Sequence, residues 1–229
     1  MKKNKSCICI IPARGGSKRL KNKNVLKFKK KHLVCHTIEN AIKANIFDFI
    51  VVSSDSKKIL NICSKYKNII LHKRSKKLSN YKVTVNEVCL EVLKFFKLKN
   101  FFFDFTCCLY ATSPLRKATD IKKSFKIIKE SKNDFVIAVS EYNFPPHQAL
   151  FKDKKYLKPL FPKLINKKTN SAEFKKIYVD NGSTYFARTT KFLRNRSFYG
   201  NKLSGYFMKR EVSIDIDTKE DFNLLKKIK

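Results

Sequence analysis

The chain has 229 residues, 43% of them hydrophobic, with 52 Lys and Arg against 18 Asp and Glu for a formal net charge of +34. That length is enough to bury the core of one domain, and no apolar run reaches the ~18 residues of a membrane-spanning helix. The excess lysines are spread along the entire chain and form no single block, so the charge reads as a solvated surface that attracts anions, not as a dedicated nucleic-acid interface.

Cys7–Pro12 is a continuous apolar run and predicts a first strand; the basic residues before it do not make a signal peptide. His32–Ala44 predicts a helix with Leu33, Ile38, Ala41 and Ile42 on its apolar face, and Phe47–Ser53 a strand buried on both sides. A helix over Ser56–Tyr66, a short strand at Asn68–Leu71, a helix over Val83–Phe96 and a strand at Phe103–Tyr110 follow. Thr119–Lys129 reads as helix and Phe135–Ser140 as a fifth strand. This alternation predicts an α/β fold with a doubly wound, mainly parallel sheet and a ligand site at the carboxyl ends of its strands.

From Glu141 to Lys176 the rhythm stops, and the stretch holds four of the six prolines. It reads as a Pro-rich insertion after the fifth strand, serving as a lid or an oligomerisation arm. Tyr178–Ala187 then predicts a strand and Asp217–Ile228 a closing helix, so residues 1–229 read as one domain with 141–176 inserted in it. The seven cysteines include no C-x-x-C pair, and with the four histidines they complete no zinc pattern. Reduced thiols packed as small hydrophobes, in a cytoplasmic protein, are the expectation.

Three segments carry chemistry. The first is Ile10-Ile11-Pro12-Ala13-Arg14-Gly15-Gly16-Ser17-Lys18-Arg19-Leu20-Lys21-Asn22-Lys23-Asn24, which leaves the first strand through two glycines, a serine and five cations. Such a turn presents backbone N–H groups and positive charge to a polyphosphate. It is neither a Walker A loop nor a dinucleotide-binding GxGxxG. The second is Leu109-Tyr110-Ala111-Thr112-Ser113-Pro114-Leu115-Arg116, by itself readable as a capped strand-to-helix turn. In the third, Ser213-Ile214-Asp215-Ile216-Asp217-Thr218, residues two apart share a side of an extended chain. Two carboxylates ~6–7 Å apart along the backbone suit Mg²⁺, while Asp217 alone reads equally as a helix cap.

Together these segments resemble the acylneuraminate cytidylyltransferases, the CMP-sialic acid synthetase family, over essentially the full chain. The carriers are the IPARGGSKR…KN segment, the Thr-Ser-Pro-Leu-Arg segment and the SIDID string running through Asp221-Phe222. The resemblance implies a Rossmann-like nucleotidyltransferase fold and transfer of a cytidylyl group from CTP to a nine-carbon keto-sugar acid, with release of pyrophosphate. It implies Ala13, Arg14, Gly15, Gly16, Ser17, Lys18 and Asn24 around the nucleotide, with Arg74 near the cytidine and Thr84 near the substrate. Catalytic roles fall to Lys23 at the α-phosphate, Arg14 and Asp217. Asp215 and Asp217 would hold Mg²⁺, and Tyr110, Thr112, Ser113 and Asn181 would contact the sugar. The acceptor of the hydroxyl proton stays open between these aspartates and a metal-bound hydroxide. A homodimer is also implied.

Departures from the sialic acid pattern bear on the sugar. Tyr110 and Ala111 stand where that branch has glutamine and proline, and Val179 stands where it has an arginine. The run Cys107–Thr112, with Phe144-Pro145-Pro146 and Gln148-Ala149-Leu150, is instead similar to the pseudaminic acid branch. Two alternatives define the competition. A 3-deoxy-manno-octulosonate cytidylyltransferase fits Gly15-Gly16-Ser17-Lys18 poorly, and a non-catalytic basic nucleic-acid-binding protein leaves the glycine loop and paired aspartates unexplained.

Overall fold

The computed structural model describes residues 6–142, 148–165 and 175–228, apart from the side chains of Lys76 and Ile165. In chain order the elements are β1 (Cys7–Pro12), β2 (Lys27–Phe28), β3 (Lys31–His32), α1 (Leu33–Ala44), β4 (Phe49–Ser54), α2 (Lys57–Cys63) and β5 (Ile70–Lys73). They continue with α3 (Val85–Lys97), β6 (Phe105–Leu109), α4 (Ala118–Glu130), β7 (Phe135–Glu141), β8 (Leu150–Asp153), β9 (Tyr156–Pro159) and α5 (Pro162–Ile165). Last come β10 (Tyr178–Arg188), α6 (Thr189–Asn195), β11 (Leu203–Phe207) and α7 (Lys219–Lys227). No helix of the described residues is long and apolar enough to cross a membrane.

Seven strands form the main sheet in the order β11-β7-β10-β6-β1-β4-β5. β1 lies between β4 and β6 and is parallel to both, β4 is parallel to β5, and β7 is parallel to β11. β10 alone is antiparallel, to β6 on one side and β7 on the other. This single reversal brings the start of β10 to the end of the sheet where the parallel strands finish. A register shift between Asp180 and Tyr185 bends the strand there.

Residues 7–11 of β1 are wholly buried, as a strand covered on both faces must be. Cys7, Cys9 and Ile11 pack with α1 and α4 residues such as Val34, Ile38 and Ile121. Ile8 and Ile10 face the other way, toward Val92 and Phe96 of α3 and Phe192 of α6. A third, smaller cluster joins Phe28 and Leu33 to Ile216, Phe222 and Leu225, so it ties α7 to the β2–β3 hairpin. All seven cysteines are free, buried thiols; burial pushes those of Cys7, Cys107 and Cys108 well up and that of Cys63 up to about 12.

Each helix read from the sequence is present, with ends moved by a few residues. Ser56, Thr84 and Thr218 cap α2, α3 and α7, accepting from the backbone N–H of Ile59, Glu87 and Asp221. Within 141–176, the described residues form the β8–β9 hairpin and the single turn α5. The motif residues Phe144-Pro145-Pro146 lie outside the described residues. The α6 helix and the edge strand β11 carry no strong periodic signal and were not expected.

One buried cation locks the crossing between β6 and β10. Arg116 is 1% exposed and donates to the Ser183 carbonyl at 2.6 Å, the Tyr110 carbonyl at 3.3 Å and the Thr37 hydroxyl at 2.8 Å. Burial holds its guanidinium below the ordinary arginine range. Arg116→Met should remove the guanidinium's bonds to the Ser183 and Tyr110 carbonyls and to the Thr37 hydroxyl, leaving each with weaker partners, and lower the unfolding free energy by about 2 kcal/mol, measurable by urea denaturation.

Candidate active site

A cleft of about 490 Å³ opens at the carboxyl ends of β1, β5 and β6. Arg14, Ser17, Lys18, Arg19, Lys23 and Asn24 line one wall; Asp215 and Asp217 face them. Arg74, Tyr81, Val83, Thr84, Val85 and Val88 form the end beyond β5, and Tyr110, Ala111 and Thr112 the end at β6.

The glycine loop is held from beneath. The backbone N–H of Gly15 donates to Asp55 Oδ1 at 2.8 Å, and a Cβ on Gly15 would stand 2.9 Å from the Cβ of Ser56. Glycine is therefore required there by close approach. The loop's far side is fixed by Asn24, 5% exposed, whose side chain donates to the Arg14 carbonyl at 2.9 Å. Over the mouth, the Lys18 ammonium lies 3.4 Å from the centre of the Tyr81 ring.

The carboxylates are positioned by the residue between them. Ile216 is fully buried beneath α7, and its N–H donates to the Thr112 carbonyl at 2.9 Å. The alternation turns Asp215 and Asp217 to the opposite side, into the cleft. Asp217 accepts from Lys23 at 2.7 Å and from Arg19. Burial alone would lift the Asp217 carboxyl, but the Lys23 hydrogen bond and charge, with Arg19, hold it below its ordinary value. Helix capping falls to Thr218, leaving the Asp217 side chain facing the cleft.

Asp215 behaves in the opposite way. Burial pushes its carboxyl up to about 6, against the pull of a Thr112 hydrogen bond and the Lys23 charge. Its Oδ1 is buried and has no hydrogen-bond partner. Gly182, at φ +65°, would carry a Cβ only 2.8 Å from Asp215 Oδ2, so the Asn-Gly pair is needed for both its turn and its proximity.

The cleft thus gathers eleven expected residues: Arg14, Ser17, Lys18, Lys23, Asn24, Arg74, Thr84, Tyr110, Thr112, Asp215 and Asp217. Ala13, Gly15, Gly16, Ser113 and Asn181 are not among its lining residues. Ala13 is fully buried, and no atom lies within 4 Å of where a Gly16 Cβ would stand. Ser113 donates to the Gly182 carbonyl at 2.9 Å and Asn181 to the Ser140 hydroxyl at 3.2 Å, behind the wall. Thr84 lines the cleft while its hydroxyl is engaged in the capping box with Glu87. Arg74 is 7% exposed and donates to the Ser53 carbonyl at 3.0 Å; burial holds its guanidinium below the ordinary range, opposed by Asp55 and Glu91.

Sequence reasoning missed Arg19, Tyr81 and Asp55. Arg19 was within the loop yet indistinguishable from its cationic neighbours. Asp55 acts across 40 residues on a backbone N–H, a contact that leaves no local pattern.

Because folding raises the Asp215 carboxyl from 3.8 to about 6, the cost of ionising it grows between those values and is complete above them. Asp215→Asn should raise the unfolding free energy of the free protein by about 3 kcal/mol near pH 7.5 and by little near pH 3.5. Thermal and urea unfolding at the two pH values read this directly.

Against this geometry stand the similarities to known proteins. Residues 8–229 match the family model described as cytidylyltransferase. The chain is 32% identical over 219 residues to the pseudaminic acid cytidylyltransferase of Campylobacter jejuni, covering 96% of this chain and 94% of that protein. It is 33% identical over 220 residues to the N-acylneuraminate cytidylyltransferase of Streptococcus agalactiae, covering 94% of this chain but 51% of that longer protein. Its fold is that of a CMP:2-keto-3-deoxy-manno-octonic acid synthetase solved with CTP, at a TM-score of 0.69, 13% identity and coverage of 96% and 97%. With the family model spanning nearly the whole chain, and the glycine loop and paired carboxylates in one cleft, the chain belongs to the cytidylyltransferase family and is a nucleotidyltransferase.

Proposed function

We propose that this enzyme activates a nonulosonic acid, pseudaminic acid or a related acylneuraminate, by joining it to CMP from CTP. The observation that carries this reading is one cleft with Arg14, Lys18 and Lys23 facing Asp215 and Asp217, and Tyr110 and Thr112 beside them. The sugar assignment follows the branch of Tyr110-Ala111 and the relatives named above.

In this reading the anomeric hydroxyl oxygen of the sugar acid forms a bond to the α-phosphorus of CTP, and the bond from that phosphorus to the pyrophosphate oxygen breaks. Arg14, Ser17 and Lys18 hold the triphosphate, with the Ala13–Gly16 backbone shaping its cradle. Lys23, 17% exposed at its side chain, neutralises charge on the reacting phosphoryl group. Arg74 and Thr84 lie on the nucleoside side of the cleft, and Tyr110 and Thr112 on the sugar side. Ser113 and Asn181 act from behind, by fixing the Gly182 turn against Asp215.

Two carboxylates supply hard oxygen donors, and the unpartnered, buried Oδ1 of Asp215 is an acceptor in need of a cation. Asp215 and Asp217 fit Mg²⁺, which when bound would neutralise phosphate charge and favour departure of pyrophosphate. Lys23 and Arg19 hold Asp217 ionised and oriented in the meantime. We also infer a cytoplasmic enzyme, from its seven reduced thiols, and a homodimer joined through the 141–176 segment. Leu150, Tyr156, Leu157 and Leu160 of that segment are each more than half exposed.

Purified protein with CTP and Mg²⁺ should be offered pseudaminic, legionaminic, N-acetylneuraminic and octulosonic acids, with pyrophosphate release as the readout. Release is expected with a nonulosonic acid, fastest with pseudaminic acid. Lys23→Ala and Asp215→Ala should each lower kcat by at least about a hundredfold while circular dichroism stays unchanged. Release with the octulosonic acid alone overturns the sugar class, and release with none overturns the activity.

A further inference from the structure

The corner where β4 turns into α2 supports the nucleotide end of the cleft, although none of residues 53–56 lines it. The Ser53 carbonyl accepts from the Ala13 N–H at 2.9 Å and from the Arg74 guanidinium at 3.0 Å. The Ser54 carbonyl accepts from the Arg74 N–H at 2.9 Å, and the Ser54 hydroxyl from the Ser56 N–H at 3.1 Å. Between them, Asp55 accepts the Gly15 N–H at 2.8 Å, and Ser56 packs against the place of a Gly15 Cβ. The glycine loop and Arg74 thus rest on four consecutive residues.

A carboxylate here calls for a physical reason, because negative charge near a polyphosphate site repels the ligand. What the carboxylate oxygen supplies is an acceptor. Its partner, the Gly15 N–H, is a donor of the kind that glycine loops offer to phosphate. In this chain that donor is committed inside the protein. The Ser17 N–H folds back onto the Gly15 carbonyl at 3.1 Å, which closes the turn on itself. Among the described residues nothing accepts from the N–H of Gly16 or of Lys18. No atom beyond its chain neighbours lies within 4 Å of where a Gly16 Cβ would stand. Gly15 is therefore the anchored side of the loop, and Gly16 the open side.

We propose that Asp55 is a positioning residue of the phosphate loop: by taking the Gly15 N–H it withholds that donor from CTP and aims the following N–H groups, first that of Gly16, at the phosphates. This rests on the reading of the loop as the seat of the CTP triphosphate. Asp55 works as an acceptor, and its charge is incidental. Asparagine keeps the oxygen and loses the charge, so it substitutes for Asp55, whereas alanine does not. Release of the loop disturbs the nucleotide end of the cleft and leaves the sugar end, at Tyr110 and Thr112, in place.

The chain has five glycines, so labelling with ¹⁵N-glycine gives five backbone amide signals in NMR. Carbonyl-¹³C arginine marks the signal of Gly15, which alone follows an arginine, and carbonyl-¹³C glycine marks that of Gly16. The Gly15 N–H should exchange slowly with solvent both before and after CTP and Mg²⁺ are added without sugar acid. The Gly16 N–H should exchange fast in the free protein and at least about tenfold more slowly once CTP binds. In Asp55→Ala the Gly15 N–H should lose its protection. The KM of CTP should rise about tenfold in that variant, with the KM of the best sugar acid within about twofold. Asp55→Asn should keep both the protection and a CTP KM within about twofold of the unaltered enzyme. If melting shows Asp55→Ala to be unfolded, exchange in the unaltered protein and in Asp55→Asn decides. A Gly15 N–H that becomes protected only when CTP binds overturns the inference. So does an Asp55→Asn as impaired as Asp55→Ala, which would assign the effect to the charge that Asp55 sets near Arg74. An equal rise in both KM values, or an unchanged CTP KM in Asp55→Ala, also overturns it. If the unaltered protein neither binds CTP nor releases pyrophosphate with any of the four acids, the reading of the cleft itself fails. Turnover by an unaltered enzyme whose Gly15 N–H is unprotected sinks this inference alone.

Discussion

Burying a carboxylate without a partner costs several kcal/mol, and the organisation of this site answers that cost. Asp217 is compensated by Lys23 and Arg19, drawn from the opposite wall of the cleft. Asp215, deeper and next to Gly182, has only a Thr112 hydrogen bond and the more distant Lys23 charge, and its carboxyl rises accordingly. One acid is thus satisfied and the other left short of positive charge. In the proposed reading, a cation and a polyanion would bind such a cleft together better than either alone, because each supplies what the other side lacks.

The sheet explains how these groups meet. Side chains from the loop after β1 and from the turn after β6 reach the cleft because parallel strands end on the same side. Carboxylates arrive from the segment before α7, whose apolar face is clamped to the β2–β3 hairpin through Ile216, Phe222 and Leu225. The reversal of β10 adds the bulge with Asp180, Asn181 and Gly182 to that same end. Arg116 seals the junction, since its guanidinium spans β6, β10 and α1 at once.

Much of this was legible in the residues. The unbroken apolar run of Cys7–Pro12 announced a central strand, and the two-residue spacing of Asp215 and Asp217 announced their common side. Ser56 marked the start of α2, and the starts read at Val83 and Asp217 each fall one residue before the true caps Thr84 and Thr218, whose hydroxyls satisfy backbone N–H groups locally. The direction of β10 was not legible: alternation and β-propensity are the same for a strand run either way, and only its partners decide. The β11 strand is a five-residue edge with no residue fully buried, so its sequence lacks the apolar signal that betrayed β1 and β6. Thr84 shows a further limit, since one residue both caps α3 and lines the cleft.

The pairing of Lys23 with Asp217 spans 194 residues of chain. Local helices form before such a distant contact repays its loop-closure entropy, so the two walls of the cleft can join only once the sheet between them is ordered. During refolding, helical signal should therefore return ahead of the capacity to bind nucleotide. A polypeptide cut between the two walls would depend on reassociation of the pieces to regain a site. Nucleotide binding is in this sense a report on the integrity of nearly the whole chain, delivered from one cleft.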